Sequence, residues 1–218
     1  MGQSKMLLEL ARFVQRISAI ARTGLAFSPN LFDAERYEEL LREAAHLSSL
    51  LSGEAPEVAE ELFRRWRDSV GDGYDGYVTT AVGCGAIVFD ANDEILLIKR
   101  ANGRWSYPGG FCDVGCSPAE NVVREVREET GLSISPLPLI ALTDSLKLGS
   151  PARHLYSVLF YCRLGGGEIR PHPLEVLEAG FFSLDQIPEP LHSPHRGWIT
   201  LAREFHFEGR VEPYFDPA

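Results

Sequence analysis

"GGFCDVGCSPAENVVREVREETGL" (Gly109–Leu132) sets four glutamates and two arginines into ten residues, Glu120–Glu129, and brackets them with glycines. Ser117 is placed to cap a helix, Pro118 suits its first turn, and Glu120 can close a capping box. Gly131 can end the helix in a left-handed conformation. The stretch therefore predicts a helix from about Pro118 to Thr130. At about 100° per residue, Ala119, Val122, Val123 and Val126 share an arc that faces a core. Glu125, Glu128 and Glu129 share an adjacent arc, three and four residues apart, where like charges weaken a helix. Arg124 can pair with Glu128, which still leaves surplus negative charge. A solvated helix face is the plain explanation. The neighbouring Pro108-Gly109-Gly110 turn argues against it, because glycine lets a backbone approach a ligand closely. Carboxylates gathered beside such a loop suit a hard cation: Mg2+ takes one or two carboxylates, keeps waters, and completes its shell with phosphate oxygens.

Outward from this stretch the chain has two periodicities. From about Lys5 to Val70 the pattern is helical. Leu7, Leu8, Ala11, Val14, Gln15 and Ile17–Ile20 give a face at three- and four-residue spacing. Asp33 is expected to cap a second helix carrying Tyr37, Leu40, Leu41, Ala44 and Leu47, and Pro56 to open a third with Val58, Leu62, Phe63 and Trp66. The glycine-rich "SVGDGYDGY" is expected to be a linker. The expected division is a helical domain at 1–70, a linker at 71–77 and a strand-bearing domain at 78–218. Beyond Tyr77, "VTTAVGCGAIVF" and "EILLIKR", joined by "DAND", predict a β-hairpin. Further strands are expected at Ser133–Thr143, Leu155–Arg163 and Gly180–Ser183, and one more helix near "PHRGWITLAREF". Strands with a few inserted helices make an α/β sandwich.

The formal net charge of −10 opposes binding over a broad face to nucleic acid, though a bound divalent cation can reverse the sign locally for a small anionic substrate. No charge-free apolar run is long enough for a membrane span and no cleavable leader is evident, so a cytoplasmic protein is expected. Cys84, Cys112, Cys116 and Cys162 are too few and scattered for a disulfide scaffold and are expected to be buried thiols; zinc is the weaker alternative, since Cys112 and Cys116 lack the usual spacing.

The 23 residues from Gly110 to Leu132 resemble the signature of Nudix hydrolases, G-x5-E-x7-R-E-U-x-E-E-x-G-U with U a bulky aliphatic. Gly110, Arg124, Glu125, Val126, Glu128, Glu129, Gly131 and Leu132 match in register, and "WSYPGG" before them is similar to the usual approach to the box. Cys116 departs, standing where the pattern has its first glutamate. A neutral thiol is a poor ligand for hard Mg2+, so metal affinity and stoichiometry are in question, and Asp113 is the nearest compensating carboxylate. "RISAIARTGLAFSPNLFDAERYEEL" resembles the helical leader of a subgroup whose members act on CDP-choline or ADP-ribose-like compounds, often as homodimers.

The resemblance implies an α/β/α sandwich with a mixed sheet, preceded by a small all-α domain. It implies Mg2+-dependent hydrolysis (Mn2+ as the alternative ion) of a nucleoside diphosphate linked to a group X, with CDP-choline slightly ahead of ADP-ribose, in a homodimer joined by its N-terminal helices. Glu125, Glu128 and Glu129 are the expected metal ligands. The general base is a signature glutamate or one from "PLEVLEAGFF", which offers Glu175 and Glu178; Glu178 is favoured, alongside Glu125 and Glu129 as catalytic residues. Gly109, Gly110, Arg100, Arg104 and Arg153 are candidates to contact the substrate, arginine because it clamps phosphate through two parallel hydrogen bonds. Phe27, Tyr37, Trp105 and Phe111 are candidates to stack a base or simply to pack. His154, His172, His192 and His195 show no metal spacing. Two rival readings remain: a Nudix-fold ligand sensor in which Cys116 marks lost activity, and an interaction protein acting through its helices.

Overall fold

The computed structural model describes residues 2–27, 30–71, 76–113, 115–148, 154–192 and 197–217. Arg153, His195 and most of the expected linker (72–75) lie outside the described residues. The chain divides into two compact units, Met1–Thr80 with Ser145–His154, and Ala81–Asp144 with Leu155–Ala218.

The first unit holds three helices, α1 (Gly2–Phe27), α2 (Leu31–Ser52) and α3 (Pro56–Asp68). Ala21, Leu41, Ala45 and Phe63 are buried where they meet, with Leu25, Tyr37, Leu62 and Trp66 packed around them. Pro56 opens α3 as expected. Asp33 does not cap α2. Asn30 does, its side chain accepting from the Asp33 backbone N–H at 2.9 Å. Asparagine can fill the same role as aspartate at that position, so residue type alone does not separate two candidates three residues apart.

In the second unit the sheet runs β3 (Trp105–Ser106), β2 (Ile95–Arg100), β1 (Ala81–Phe89), β6 (Leu155–Gly166), β5 (Ser133–Asp144), β8 (Tyr214–Phe215). Off this path, β4 (Gly109–Phe111) pairs with β1 and β7 (Val176–Phe182) with β2. β1 lies parallel to β6, and β5 to β8, while the other pairs are antiparallel, so the sheet is mixed. Alternate side chains of the central strands feed opposite faces. Ala86, Val88 and Leu96 pack on Val122 and Val126 of α4 (Pro118–Thr130). Ile87, Phe89, Ile95 and Leu97 pack on Trp198, Ala202 and Phe205 of α5 (Gly197–Phe207). The result is the expected α/β/α sandwich. The short strands β3, β4 and β8 carry no sequence signal of their own, being two or three residues long and paired only through the tertiary fold.

Candidate active site

α4 forms as its local signals dictate. Ser117 accepts from the Glu120 N–H while Glu120 returns to the Ser117 N–H at 2.8 Å, and Gly131 closes the helix at φ 76°. Val122 and Val126 anchor it to the sheet, which turns its carboxylate arc toward β4. There the backbone is constrained to glycine. A Cβ on Gly109, whose φ is 150°, would lie 2.2 Å from the Cys84 carbonyl oxygen; a Cβ on Gly110 would lie 2.6 Å from Glu125 Oε2. The diglycine turn therefore makes room for strand pairing on one side and for a carboxylate on the other.

The three glutamates of α4 have different surroundings. Glu129 is 2% exposed and turns inward, where one oxygen accepts the Gly109 N–H at 2.8 Å and the other accepts from Arg100 Nη1 at 3.0 Å. Burial pushes its pKa up to about 7, against the lowering effect of Arg100 and the Gly109 N–H. Glu125 is half-buried against Gly110, and burial raises its pKa too, opposed by Arg124 and reinforced by Glu128 and Glu175. Glu128 is exposed. Arg124 gathers the outer charges, reaching Glu128 at 2.7 Å, Glu125 at 2.9 Å and Asp113 at 2.8 Å. The Arg124–Glu128 pair is the one expected from the spacing.

Asp113 thus carries its carboxylate to the helix from just before the position that holds Cys116, which is exposed. Asn121, fully buried, ties that loop down: its amide nitrogen donates to the Ser117 carbonyl at 3.0 Å, and its oxygen accepts from the Asp113 N–H at 2.9 Å. No sequence signal marks it, because an asparagine between valines and charged residues carries no periodicity of its own. Of the four cysteines, Cys84 and Cys162 are buried as expected; Cys112 is partly exposed and Cys116 fully so, because both sit at the passage from β4 to α4 rather than under it.

The remaining candidates separate by strand face. Arg100 joins the site, its guanidinium donating to Ser106 Oγ at 3.1 Å, the Gly109 carbonyl at 2.6 Å and Glu129. Arg104 instead donates to the Leu191 carbonyl at 3.1 Å. Lys99, one residue before Arg100, leaves the opposite face of β2, with its ammonium over the Trp105 ring and 3.8 Å from Glu178. Glu178 is therefore on the α5 side of the sheet, away from the α4 glutamates. Glu175 is on their side. The loop before it is pinned to the end of α4 by the Arg170 N–H on the Thr130 carbonyl (2.8 Å) and the His172 N–H on the Glu129 carbonyl (3.2 Å), and its charge acts on Glu125. Trp105 packs in the core against Phe182, whereas Phe111 is half exposed.

Residues 79–202 match the model of the NUDIX domain, and residues 9–63 match that of the "UDP-X-like, N-terminal oligomerisation domain". The chain belongs to the Nudix family. It is a Nudix hydrolase with an N-terminal helical region. It is 39% identical to YjhB of Bacillus subtilis, provisionally named an ADP-ribose pyrophosphatase, over 84% of this chain and 83% of that one. An ADP-ribose pyrophosphatase of Methanocaldococcus jannaschii is 36% identical over 53% of this chain and 69% of its own. Among solved structures, a UDP-X diphosphatase covers 96% of this chain and 99% of its own at 29% identity and TM-score 0.59. An ADP-ribose pyrophosphatase from Streptococcus suis covers 63% of this chain and all of its own at 37% identity and TM-score 0.56.

Nudix hydrolases generally use a divalent metal. The donors on α4 fit one chemically. They are hard carboxylate oxygens, and burial makes two of them bind protons more tightly than usual despite two adjacent arginines. Among the described residues no three acidic, thiol or imidazole groups converge on one point; Arg100 draws Glu129 inward while Arg124 draws Glu125 and Glu128 outward. No described helix is long and apolar enough to cross a membrane.

Proposed function

We propose that this Nudix hydrolase cleaves the pyrophosphate of a nucleoside diphosphate linked to X, giving a nucleoside monophosphate and phospho-X, in a Mg2+-dependent reaction. The observation that carries the reading is the pair of carboxylates, Glu125 and Glu129, held against a diglycine turn at the C-terminal half of α4. Glu125, Glu128 and Glu129 would hold Mg2+ or Mn2+. The ion, when bound, neutralises the diphosphate and acidifies a water. The chain's own contributions are separable. Gly109 lets the turn pair closely with the Cys84 backbone, and Gly110 leaves room for the Glu125 carboxylate beside it. Arg100 fixes Glu129 and the Gly109 carbonyl in one orientation, which makes it a positioning residue before it is a phosphate clamp. Arg124 holds Glu125 and Glu128 at a common guanidinium, with Asp113 supplying the carboxylate that Cys116 does not.

Glu175 replaces Glu178 as the candidate general base, because its charge acts on Glu125 whereas Glu178 pairs with Lys99 on the opposite face of β2. The names of the relatives put ADP-ribose first among substrates to test and UDP-linked compounds second, with CDP-choline third. The chain works as a homodimer through its helical region, a reading supported by the match to an oligomerisation domain. Phosphorus NMR on a panel of these substrates with Mg2+ tests the function: two phosphomonoester signals should replace the diphosphate pair, and Glu129→Gln should abolish the change. Nucleotide binding without any cleavage across the panel would instead assign the protein to ligand sensing.

A further inference from the structure

α1 carries two apolar stripes. One, Ala11, Val14, Ser18 and Ala21, is buried within the first unit. The other is Met6, Leu10, Phe13, Ile17, Ile20, Gly24 and Phe27, spaced alternately by four and three residues over three heptads. Met6, Phe13, Ile20 and Phe27 each leave more than half of their surface exposed, and Leu10 and Ile17 are partly exposed. Isolated exposed apolar residues need no explanation, but an unbroken four-three repeat is the seam of a paired helix. Its far end is already used within the unit: the Tyr37 ring lies 2.5 Å from where a Gly24 Cβ would be, and Phe27 sits 5.4 Å from Tyr77. The open seam runs from Met6 to Ile20.

Charge selects what covers it. Glu9 and Arg16 precede Leu10 and Ile17, so both lie on one exposed flank of the seam; the other flank is Leu7, Val14 and Ala21, the last two buried. In a parallel pair of helices each flank faces the opposite flank of its partner, which would set Glu9 and Arg16 against apolar residues. In an antiparallel pair like flanks meet. Placing Leu10 against the partner's Phe13 and Ile17 against the partner's Met6 brings Glu9 to the partner's Arg16, twice by symmetry. Moving the register one heptad toward the C-terminus sets Arg16 against its own copy.

We infer that α1 pairs antiparallel with α1 of a second copy of this chain, about a two-fold axis passing between positions 11 and 12. This rests on the homodimer reading above and gives it a face and a register. A two-fold contact is self-complementary, as the Glu9–Arg16 exchange requires.

Sedimentation equilibrium on the full chain tests the inference, with circular dichroism to confirm folding. The wild type should have twice the 24.2 kDa of one chain. Phe13→Glu should abolish the dimer. Glu9→Arg and Arg16→Glu should each weaken it roughly tenfold, since like charges then meet at two symmetric points, and the double variant should recover to within about twofold. A monomeric wild type would sink both the homodimer reading and the seam. A dimer unmoved by Phe13→Glu would overturn the seam and leave the homodimer reading standing on another face. Single charge variants that weaken the dimer without recovery in the double would overturn the antiparallel register. Should Phe13→Glu fail to fold, the charge exchange decides alone.

Discussion

Glu129→Gln isolates the electrostatic cost of the site. The carboxylate is 2% exposed, and its pKa rises from an ordinary 4.5 to about 7. The folded state therefore keeps this proton to a higher pH than the unfolded state does. The associated stability is fully present below about pH 4.5 and is lost as pH rises through 7. A shift of that size corresponds to about 3 kcal/mol between pH 4.5 and pH 8. Glutamine keeps the shape and an oxygen for the Gly109 N–H but has no proton to lose. Urea unfolding in EDTA at pH 4.5 and pH 8 should thus show a stability loss in the wild type larger than that in Glu129→Gln by about 3 kcal/mol. Adding Mg2+ at a hundred times its Kd at pH 8 should return about 2.7 kcal/mol to the wild type and much less to the variant. Equal pH slopes in the two proteins would mean that Glu129 is not the buried charge that a cation relieves.

Other expectations follow from the same geometry. Gly110→Ala pushes only the flexible end of Glu125, so thermal unfolding should move by no more than a few degrees while kcat/KM falls at least ~100-fold; Gly109→Ala meets the Cys84 backbone and should destabilise by several kcal/mol, roughly the range of a severe steric clash, in the same melts. Glu175→Gln should lower kcat by about 10²–10⁴ at constant Mg2+, the usual loss for a general base, whereas Glu178→Gln should stay within about twofold of wild type in a steady-state assay. Arg124→Met frees Asp113, Glu125 and Glu128 to repel one another, and isothermal titration should find the enthalpy and affinity for Mn2+ changed together.

What the chain discloses by itself is what is decided locally. The bounds of α4, its capping box and its glycine stop follow from residues within three or four positions of each other, and the Arg124–Glu128 pair follows from helical spacing. The fates of Glu125 and Glu129 do not. Glu129 is buried because Arg100 and Gly109, 29 and 20 residues away, close over it. Glu178 and Glu175 are three residues apart: pairing with Lys99 fixes the face of Glu178, while Glu175 lies in the turn just before β7, which a distant backbone bond ties to the end of α4. Likewise α1 interleaves a buried and an exposed stripe, which a single count of apolar spacings merges into one. Arg104 illustrates the converse: a plausible phosphate clamp by type, it is engaged by a backbone carbonyl.

In the folded protein the carboxylates of α4 should hold a divalent ion. Electron paramagnetic resonance of free Mn2+ during titration measures this without any substrate. The wild type should take up Mn2+ with saturable affinity, and both Glu125→Gln and Glu129→Gln should weaken that uptake at least roughly tenfold, about 1.4 kcal/mol per lost ligand, while Glu178→Gln leaves it unchanged. Uptake that is the same in all four proteins would contradict the account.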